Sequence, residues 1–488
     1  HSLGVTLLQS IQQDLQEDLS GKVQKLPSDI LKYYDLASGL MIDGVGSDYI
    51  KWNMASFMGR VNYGYMGRYL LTLSARYDGS SRLAEGHKWV LFPSAALAWR
   101  ISDEPFMKDL VWLDNLKLRV GYGKTGNSAV SPYQTKGQLA LRHYVFNNGS
   151  SEYIGYAPSV MANDQLTWET TDQWNVGVDF GFLKNRINGT VEFYLQNTKD
   201  LLLKRQLPVV SGFSSVMSNV GSTRNKGIEI TLNTRNIMNR NFTWSTDLTF
   251  SANKEEIVEL YNGKTDDVGN LWFIGQPIDV YYNYKKIGIW QNTENDLAEM
   301  AKFNEKGANF KPGSIRLEDV DGDYKITEED KQILGSVRPK FVASMVNNFE
   351  FKGFDLSVFL YASVGGLLRN NIEFMEKPGR GNTVKVDYWT PTNPTNAFPR
   401  PSVDVEKLDY ISTLGYDKAD FLRIRNITLG YTLPEMWSKK VLMDKIRIYL
   451  SANNPAIFTN FTGIDPEGAN GRTAPSYSTW MFGINLSM

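Results

Sequence analysis

Apolar and polar residues alternate with a period of two in many segments of the chain. A period of two places successive side chains on opposite faces of a β-strand. In RYLLTLSARY one face carries Tyr69, Leu71, Leu73, Ala75 and Tyr77. The same alternation returns in LKLRVGY from 116 to 122 and in WNVGVDFGF from 174 to 182. The pattern therefore predicts an all-β fold whose strands have one apolar and one polar face.

Counting by this alternation gives about 14 strand segments along the chain. Strands with an apolar outer face and a polar inner face, in such number, are typical of a transmembrane antiparallel β-barrel. A soluble β-sandwich shows the same local alternation but seldom needs so many long strands. The predicted segments lie near residues 2–12, 52–65, 68–77, 91–101, 115–124, 172–182, 187–197, 225–236, 241–253, 339–351, 354–363, 420–433, 444–453 and 477–487.

The connections between these segments alternate in length. Tight connections are expected at 66–67, 183–186, 237–240 and 352–353. Large extracellular loops are expected at about 13–51, 125–171, 254–338 and 364–419. Outer-membrane barrels place short turns in the periplasm and long loops outside the cell, so the alternation favours a barrel. The whole of 1–488 is then one barrel portion without separate domains.

Composition supports this interpretation and excludes others. Lys plus Arg number 52 against 53 Asp plus Glu, so the formal charge of -1 gives no surface for neutralising phosphates and no nucleic-acid partner is expected. The absence of cysteine excludes thiolate metal sites and a disulfide framework. No apolar run approaches the roughly 18 residues of a membrane helix. A membrane assignment therefore depends on strands.

Several longer stretches carry motifs that are specific when taken together, and they run through nearly the whole chain. The stretches are RYLLTLSARYDGSSRLAEGHKWVLFPSAALAWRIS (68–102), LKLRVGYGKTGN (116–127), LTWETTDQWNVGVDFGFLKNRINGTVEFY (166–194), NVGSTRNKGIEITLN (219–233), GQPIDVYYNYKKIGIWQ (275–291), FLRIRNITLGYTLP (421–434) and FTGIDPE (461–467). Together they resemble SusC/RagA-type TonB-dependent transporters.

The resemblance implies a 22-stranded barrel with an N-terminal plug, of which this chain would hold the last 14 strands. The plug, the TonB-contact segment and the first eight strands are then expected upstream. The resemblance also implies a place in the cell outer membrane, contact with its lipid, and import of a glycan or oligopeptide. Its implied partners are a SusD-type surface lipoprotein and the TonB–ExbB–ExbD complex, which would be reached through the missing N-terminal part.

One acidic segment has the spacing of a calcium loop. DVDGDYKITEED places Asp319, Asp321 and Asp323 at positions one, three and five, Lys325 at seven for its backbone carbonyl, and Asp330 at twelve. Position six, which is Gly in an EF-hand, is Tyr324 here. Two interpretations stay open, a structural Ca²⁺ site in a surface loop and a solvated acidic turn. No other cofactor is expected.

Five aromatic residues in the predicted loops are candidate substrate-binding residues, since the apolar C–H faces of sugar rings and of peptide side chains stack on such rings. The alternative is that they belong to an aromatic girdle or to loop packing. The five are Trp272, Phe273, Trp290, Tyr388 and Trp389.

No catalytic site is predicted. The only histidines are His1, His87 and His143, and neither HExxH nor G-x-S-x-G occurs. The favoured function is TonB-dependent import without enzyme activity. The alternatives are a passive porin or structural barrel and a secreted all-β glycan-binding or hydrolytic protein, and upstream sequence and a need for detergent discriminate among them.

Overall fold

Fourteen antiparallel strands form one continuous sheet in the computed structural model of this chain. The structure describes residues 1–146, 149, 151–370, 386–401, 409–468 and 476–488. The strands of the sheet, in chain order, are β1 (Ser2–Gln24), β2 (Met41–Tyr65), β3 (Tyr69–Ser80), β4 (Trp89–Arg100), β5 (Leu113–Asn127), β8 (Glu169–Phe182), β9 (Ile187–Lys199), β12 (Ser222–Met238), β13 (Phe242–Glu259), β18 (Phe341–Phe351), β19 (Phe354–Val364), β22 (Phe421–Thr432), β23 (Lys445–Thr459) and β24 (Thr479–Ser487).

The prediction of an all-β antiparallel sheet of about 14 strands is confirmed, because each predicted segment coincides with one of these strands. Each strand pairs with its neighbours in chain order, so the two edge strands, β1 and β24, have one neighbour each. Among the described residues no hydrogen-bonded ladder joins β1 to β24, so the sheet is open at these two edges.

The remaining strands are short and lie in the connections. They are β6 (Gln138–Phe146), β7 (Ser151–Val160), β10 (Leu202–Gln206), β11 (Ser215–Asn219), β14 (Val280–Tyr284), β15 (Lys286–Ile289), β16 (Ile315–Leu317), β17 (Lys331–Ser336), β20 (Leu367–Arg369) and β21 (Tyr416–Lys418). They form five two-stranded antiparallel sheets, β6 with β7, β10 with β11, β14 with β17, β15 with β16 and β20 with β21. Two α-helices, α1 (Glu294–Glu305) and α2 (Glu435–Ser438), occur among the described residues.

One end of the sheet carries the tight turns. Met66 and Gly67 both have positive φ, 54° and 67°, and Lys352 and Gly353 have 47° and 88°. Two consecutive residues of positive φ are the geometry of the two-residue hairpin turn, which glycine adopts without steric cost. We call this end the short-turn edge. The opposite end, the long-loop edge, carries the long connections.

The strands beside the first long connection extend farther than predicted. Residues 13–51 were expected to be a loop, but β1 continues to Gln24 and β2 begins at Met41, and the two pair through this region. The sequence QQDLQEDLSGK misled the prediction because it is mostly polar. A two-stranded ribbon that extends past the apolar band of the sheet does not need apolar side chains on one face. Its sequence therefore shows little of the alternation from which strands are predicted.

Apolar side chains on the outer face of the sheet are exposed. In β24 the alternate residues Trp480, Phe482, Ile484 and Leu486 are 64%, 70%, 53% and 58% exposed. On β3, Tyr69 and Tyr77 lie on this face eight residues apart, which is about 27 Å along a strand. Each joins an aromatic cluster, Tyr69 with Trp99 and Tyr77 with Trp89. Two aromatic rows of this separation bounding an apolar band match the girdles of an outer-membrane barrel.

No helix in the described part of the chain has both the length and the apolarity for crossing a membrane.

Candidate functional site

The connections β13–β18 and β19–β22 fold together at the long-loop edge into a packed unit, which we call the loop core. Two clusters of buried residues form it, and the side chains of Ile326 and Tyr410 pack against both. The first cluster contains Ile289, Ile315, Leu317, Trp389, Ile411 and Leu414. The second contains Trp290, Met300, Phe303 and Phe310. The loop core is therefore a rigid base for sites on this edge, because its side chains exclude water.

Helix α1 is held in the loop core by its caps and by one charged side chain. Thr293 accepts a hydrogen bond from the Asp296 N–H and so caps the first turn. Arg316 on β16 pairs with Asp296 at 3.1 Å and with Glu299. The Arg316 guanidinium also lies 4.4 Å from the centre of the Trp290 ring, a cation–π contact. These contacts fix α1 against the buried ring.

The acidic segment brings three of its predicted ligands together. One carboxylate oxygen each from Asp319, Asp321 and Asp323 lies within 4.8 Å of the others. A hydrogen bond from the Asp323 N–H lowers the pKa of Asp321, but burial and the neighbouring carboxylates outweigh it and the net effect is a raised pKa. This repulsion among carboxylates is what a divalent cation would relieve.

The backbone at position six of this segment adopts the left-handed conformation although the residue is not glycine. Tyr324 has φ of +63°. Its ring packs edge-on against Phe303 with centroids 5.5 Å apart, and Lys302 lies 5.1 Å from the ring centre. Packing in the loop core therefore holds Tyr324 in the turn that glycine usually supplies at this position.

Asp330 has a different role from the other predicted ligands. It is fully buried, its Oδ1 accepts a hydrogen bond from the Val320 N–H at 2.8 Å, and its Oδ2 accepts one from the Thr327 N–H at 2.7 Å. The structure does not bring its oxygens into the cluster of three. Asp330 therefore closes the segment by accepting from its backbone, and the backbone carbonyl of Lys325 as a ligand stays a prediction.

The five candidate substrate-binding aromatics are separated by their burial. Trp290, Trp389 and Phe273 are 1%, 5% and 6% exposed, and their rings are covered by loop packing. Tyr388 is 46% exposed and Trp272 is half-buried. The Trp389 Nε1–H donates to Gln291 at 2.8 Å. Substrate contact stays a prediction for all five, and for the three buried rings it would require the loops to open.

Beside the loop core lies a cavity of about 1010 Å³, which we call the loop cavity. Its described lining comes from the connections after β13, β19 and β23. It combines polar side chains with two aromatic rings, Phe398 and Tyr416. The polar lining residues are Lys285, Lys286, Gln332, Asn370, Asp387, Thr413, Asp417 and Thr462. A cavity of this size, with a few convergent polar groups, is typical of a ligand site.

The charged lining of the loop cavity has mostly neutral or backbone partners. Lys286 Nζ donates to the carbonyl oxygens of Asn396 and Ala397, both at 2.7 Å, and burial lowers the pKa of this lysine. Asp387 accepts hydrogen bonds from Thr395 and Asn393, which lower its pKa. Sequence reasoning missed this cavity, because its residues come from three connections distant in the chain.

The inner face of the sheet carries charged residues that pair with one another. Arg119 Nη2 lies 2.9 Å from Asp179 and its Nη1 lies 3.7 Å from Glu192, while Lys117 lies 3.7 Å from Asp179. The polar faces identified by alternation thus form an ion-paired wall, and each of these charges has an opposite partner.

Comparisons with known proteins agree with this geometry. The family described as TonB dependent receptor-like, beta-barrel matches residues 18–455. TonB-dependent receptor P3 of Formosa agariphila is 32% identical over 518 aligned positions, which cover 100% of this chain and 50% of that protein. TonB-dependent receptor SusC of Bacteroides thetaiotaomicron is 32% identical over 455 positions, which cover 89% of this chain and 43% of that protein.

A solved structure has the same fold. The RagAB peptide transporter superposes with a TM-score of 0.83 at 24% identity, over 99% of this chain and 53% of the matched chain. The chain therefore spans about half the length of the relatives that it matches.

Proposed function

Because the chain belongs to the TonB-dependent receptor family, whose members are β-barrels of the outer membrane, we propose that the full-length protein imports a glycan or an oligopeptide by a TonB-dependent mechanism. The observation that carries the proposal is the SusC/RagA-type sheet, with short turns at one edge and a packed loop core and cavity at the other. Transport of this kind makes and breaks no covalent bond in the solute, and no enzyme activity is proposed.

The loop cavity favours a glycan over a peptide as the solute. Its carboxylates, Asp387 and Asp417, accept from neutral hydroxyl and amide groups, and such acceptors suit the hydroxyl groups of a sugar. Its rings, Phe398 and Tyr416, suit the apolar C–H faces of a sugar ring.

The proposed partners are those that the family resemblance implies. A SusD-type lipoprotein would bind at the long-loop edge and deliver the solute. The TonB–ExbB–ExbD complex would act on a plug domain outside this chain. The unpaired edges at β1 and β24 support a larger barrel, since an open sheet edge cannot satisfy its backbone groups in hydrocarbon.

Uptake by whole cells tests the import function. Cells with the full-length gene are expected to accumulate a labelled oligosaccharide, cells with the gene deleted are not, and a protonophore is expected to abolish uptake. Uptake that survives the protonophore would indicate a passive porin. Accumulation of a labelled hexapeptide in place of the oligosaccharide would show that the solute is peptide.

We also propose that Asp319, Asp321 and Asp323 bind a structural Ca²⁺. The three carboxylates and the left-handed turn at Tyr324 support the proposal. Hydrogen exchange of segment 319–330 in the full-length protein is expected to slow when Ca²⁺ is added, and Asp321→Asn is expected to remove this effect. Glu328→Gln is the matched control, because Glu328 pairs with Lys331 outside the cluster. Equal exchange with Ca²⁺ and with a chelator would contradict the proposal.

A further inference from the structure

Two segments that are far apart along the chain meet in a buried charge cluster at the long-loop edge. Arg423 of β22 is 3% exposed and Asp465 of the connection β23–β24 is 5% exposed. Arg423 Nη2 donates to Asp465 Oδ1 at 2.7 Å, and Arg423 Nε lies 2.8 Å from Glu467 Oε2 without hydrogen-bond geometry. Arg425 also pairs with Glu467. We call these four residues the Arg423 cluster.

Arg423 and Arg425 lie two residues apart on β22, a spacing that places both side chains on one face of a strand. The pairing of β22 with β19 and with β23 shifts between Ile424 and Asn426, so Arg425 has no partner in either ladder. Such a bulge leaves the extra residue unpaired in the ladder and bends the strand locally. Opposite Arg425, β23 carries Asn454 with φ of +49°. Both backbone irregularities therefore lie beside the Arg423 cluster.

The segment held by Arg423 forms a wall of the loop cavity. Thr462, Gly463 and Ile464 line the cavity. Thr462 donates to Asp417 and accepts from the Asn370 Nδ2–H at 2.9 Å, so it bonds with two other lining residues. Just before them, Phe461 is buried against Leu368 and Ala419.

Packing of Phe461 before the wall and the Arg423 cluster after it thus fix the wall, and the Arg423 cluster connects it to strand β22. Burial would raise the pKa of Asp465, but hydrogen bonds from Ser476, from the Glu467 N–H and from Arg423, with the charge of Arg423, hold that pKa below its usual range. Asp465 is therefore ionised at neutral pH, and removing Arg423 would leave a buried charge without its cation. The segment would then have to open to hydrate the carboxylate.

We propose that Arg423 is a positioning residue of the loop cavity: it holds the Thr462–Ile464 wall in place, and the affinity of the cavity for its solute depends on it. That the imported solute binds in the loop cavity rests on the function proposed above. The positioning of the wall by Arg423 is independent of that function. The two statements can therefore be tested separately.

The positioning is tested by hydrogen exchange of the full-length protein in detergent. Arg423→Met is expected to speed exchange of the amides in 461–468 on the order of a hundredfold, since losing one partner of a buried ion pair is strongly destabilising. Arg423→Lys, which keeps the charge, is expected to restore part of the protection. Arg338→Met is the matched control, because Arg338 pairs with Asp279 at the same edge but is half-exposed and does not line the cavity. Unchanged exchange of 461–468 in Arg423→Met would overturn the proposal.

Binding of a glucan hexasaccharide to the same variants tests the consequence for the cavity. Arg423→Met is expected to weaken binding by about tenfold or more, Arg423→Lys less, and Arg338→Met not at all. Faster exchange of the wall with unchanged affinity would overturn the link between the wall and binding. Wild-type protein that binds a hexapeptide pool in place of the hexasaccharide, with the same dependence on Arg423, would support the positioning and correct the solute class.

Two further results separate the proposals from misfolding. Thr462→Val removes the hydrogen bonds of the wall to Asp417 and Asn370 without leaving a buried charge unpaired. This variant replaces Arg423→Met if that variant fails to assemble. An unchanged affinity of Thr462→Val for the hexasaccharide would overturn the proposal. A further outcome is that the variants show the expected differences in exchange while wild-type protein neither binds nor imports either probe. That result would refute the proposed function and leave the positioning role of Arg423 supported.

Discussion

Replacing Trp290 by Ala tests whether this ring packs the loop core or contacts solute. The ring is 1% exposed and lies 5.9 Å from Phe303 and 6.1 Å from Phe310, between centroids. Truncating a buried Trp to Ala costs about 3–5 kcal/mol. The cation–π contact of Arg316 adds about 0.5–1 kcal/mol. The expected loss of local stability is therefore about 3.5–6 kcal/mol.

Hydrogen exchange of α1 and the segment after it is the appropriate assay, because the loss falls on the loop core and not on the barrel strands. Since about 1.36 kcal/mol corresponds to a factor of ten, exchange in 294–310 is expected to speed by a factor between about several hundred and ten thousand. Exchange in the barrel strands β3 and β4 is expected to stay unchanged and serves as the internal reference.

Trp290→Phe is the matched control for this experiment. The Trp290 Nε1–H has no hydrogen-bond partner within the described part of the chain, so Phe loses no hydrogen bond there. The cost is expected to be about 1 kcal/mol, from the smaller ring alone. Protection in 294–310 that stays within about threefold of wild type in Trp290→Ala, combined with a loss of solute binding, would refute the packing role and restore the predicted substrate role.

Two further predictions follow from buried carboxylates. Asp330→Ala is expected to cost about 2–5 kcal/mol of local stability, because the Val320 and Thr327 N–H groups lose their buried acceptor. Hydrogen exchange of 319–330 measures this loss. Unchanged protection of these amides would contradict the role of Asp330 in closing the segment. The lowered pKa of Asp465 means that the carboxylate stabilises the wall above its ordinary pKa and that this stabilisation is lost as the pH falls through the folded value. Exchange of 461–468, corrected for the intrinsic rate at each pH, is therefore expected to show opening only below the ordinary pKa of an aspartate, about 4. Asp465→Asn is expected to be open already at neutral pH and to show no such transition.

The sequence predicted the sheet because its signals are local. Alternation with a period of two is readable within ten residues, and all 14 segments found in this way are strands. The tight turns at Met66-Gly67 and Lys352-Gly353 were equally local, since glycine marks where positive φ is needed. The spacing of Asp319, Asp321 and Asp323 likewise sufficed to predict that their carboxylates meet.

Sequence-based interpretation was weaker where a residue's role depends on what packs against it. Trp290, Trp389 and Tyr388 are alike in the sequence as loop aromatics, yet two are buried in the loop core and one is half-exposed. Asp330 occupies the twelfth position of a calcium loop, but its oxygens accept from the backbone of its own segment. Only the surrounding structure decides whether such a side chain is covered or available.

Local alternation thus determined the number, order and faces of the strands, because backbone geometry alone fixes which side chains share a face. The tertiary structure decided the rest of the candidate site. Arg423 and Asp465 lie 42 residues apart in sequence, and no periodicity relates them. The loop cavity is assembled from three connections. Contacts of this kind exist only after distant strands have paired and brought their connections to the same edge, so they depend on the whole sheet and not on any one segment.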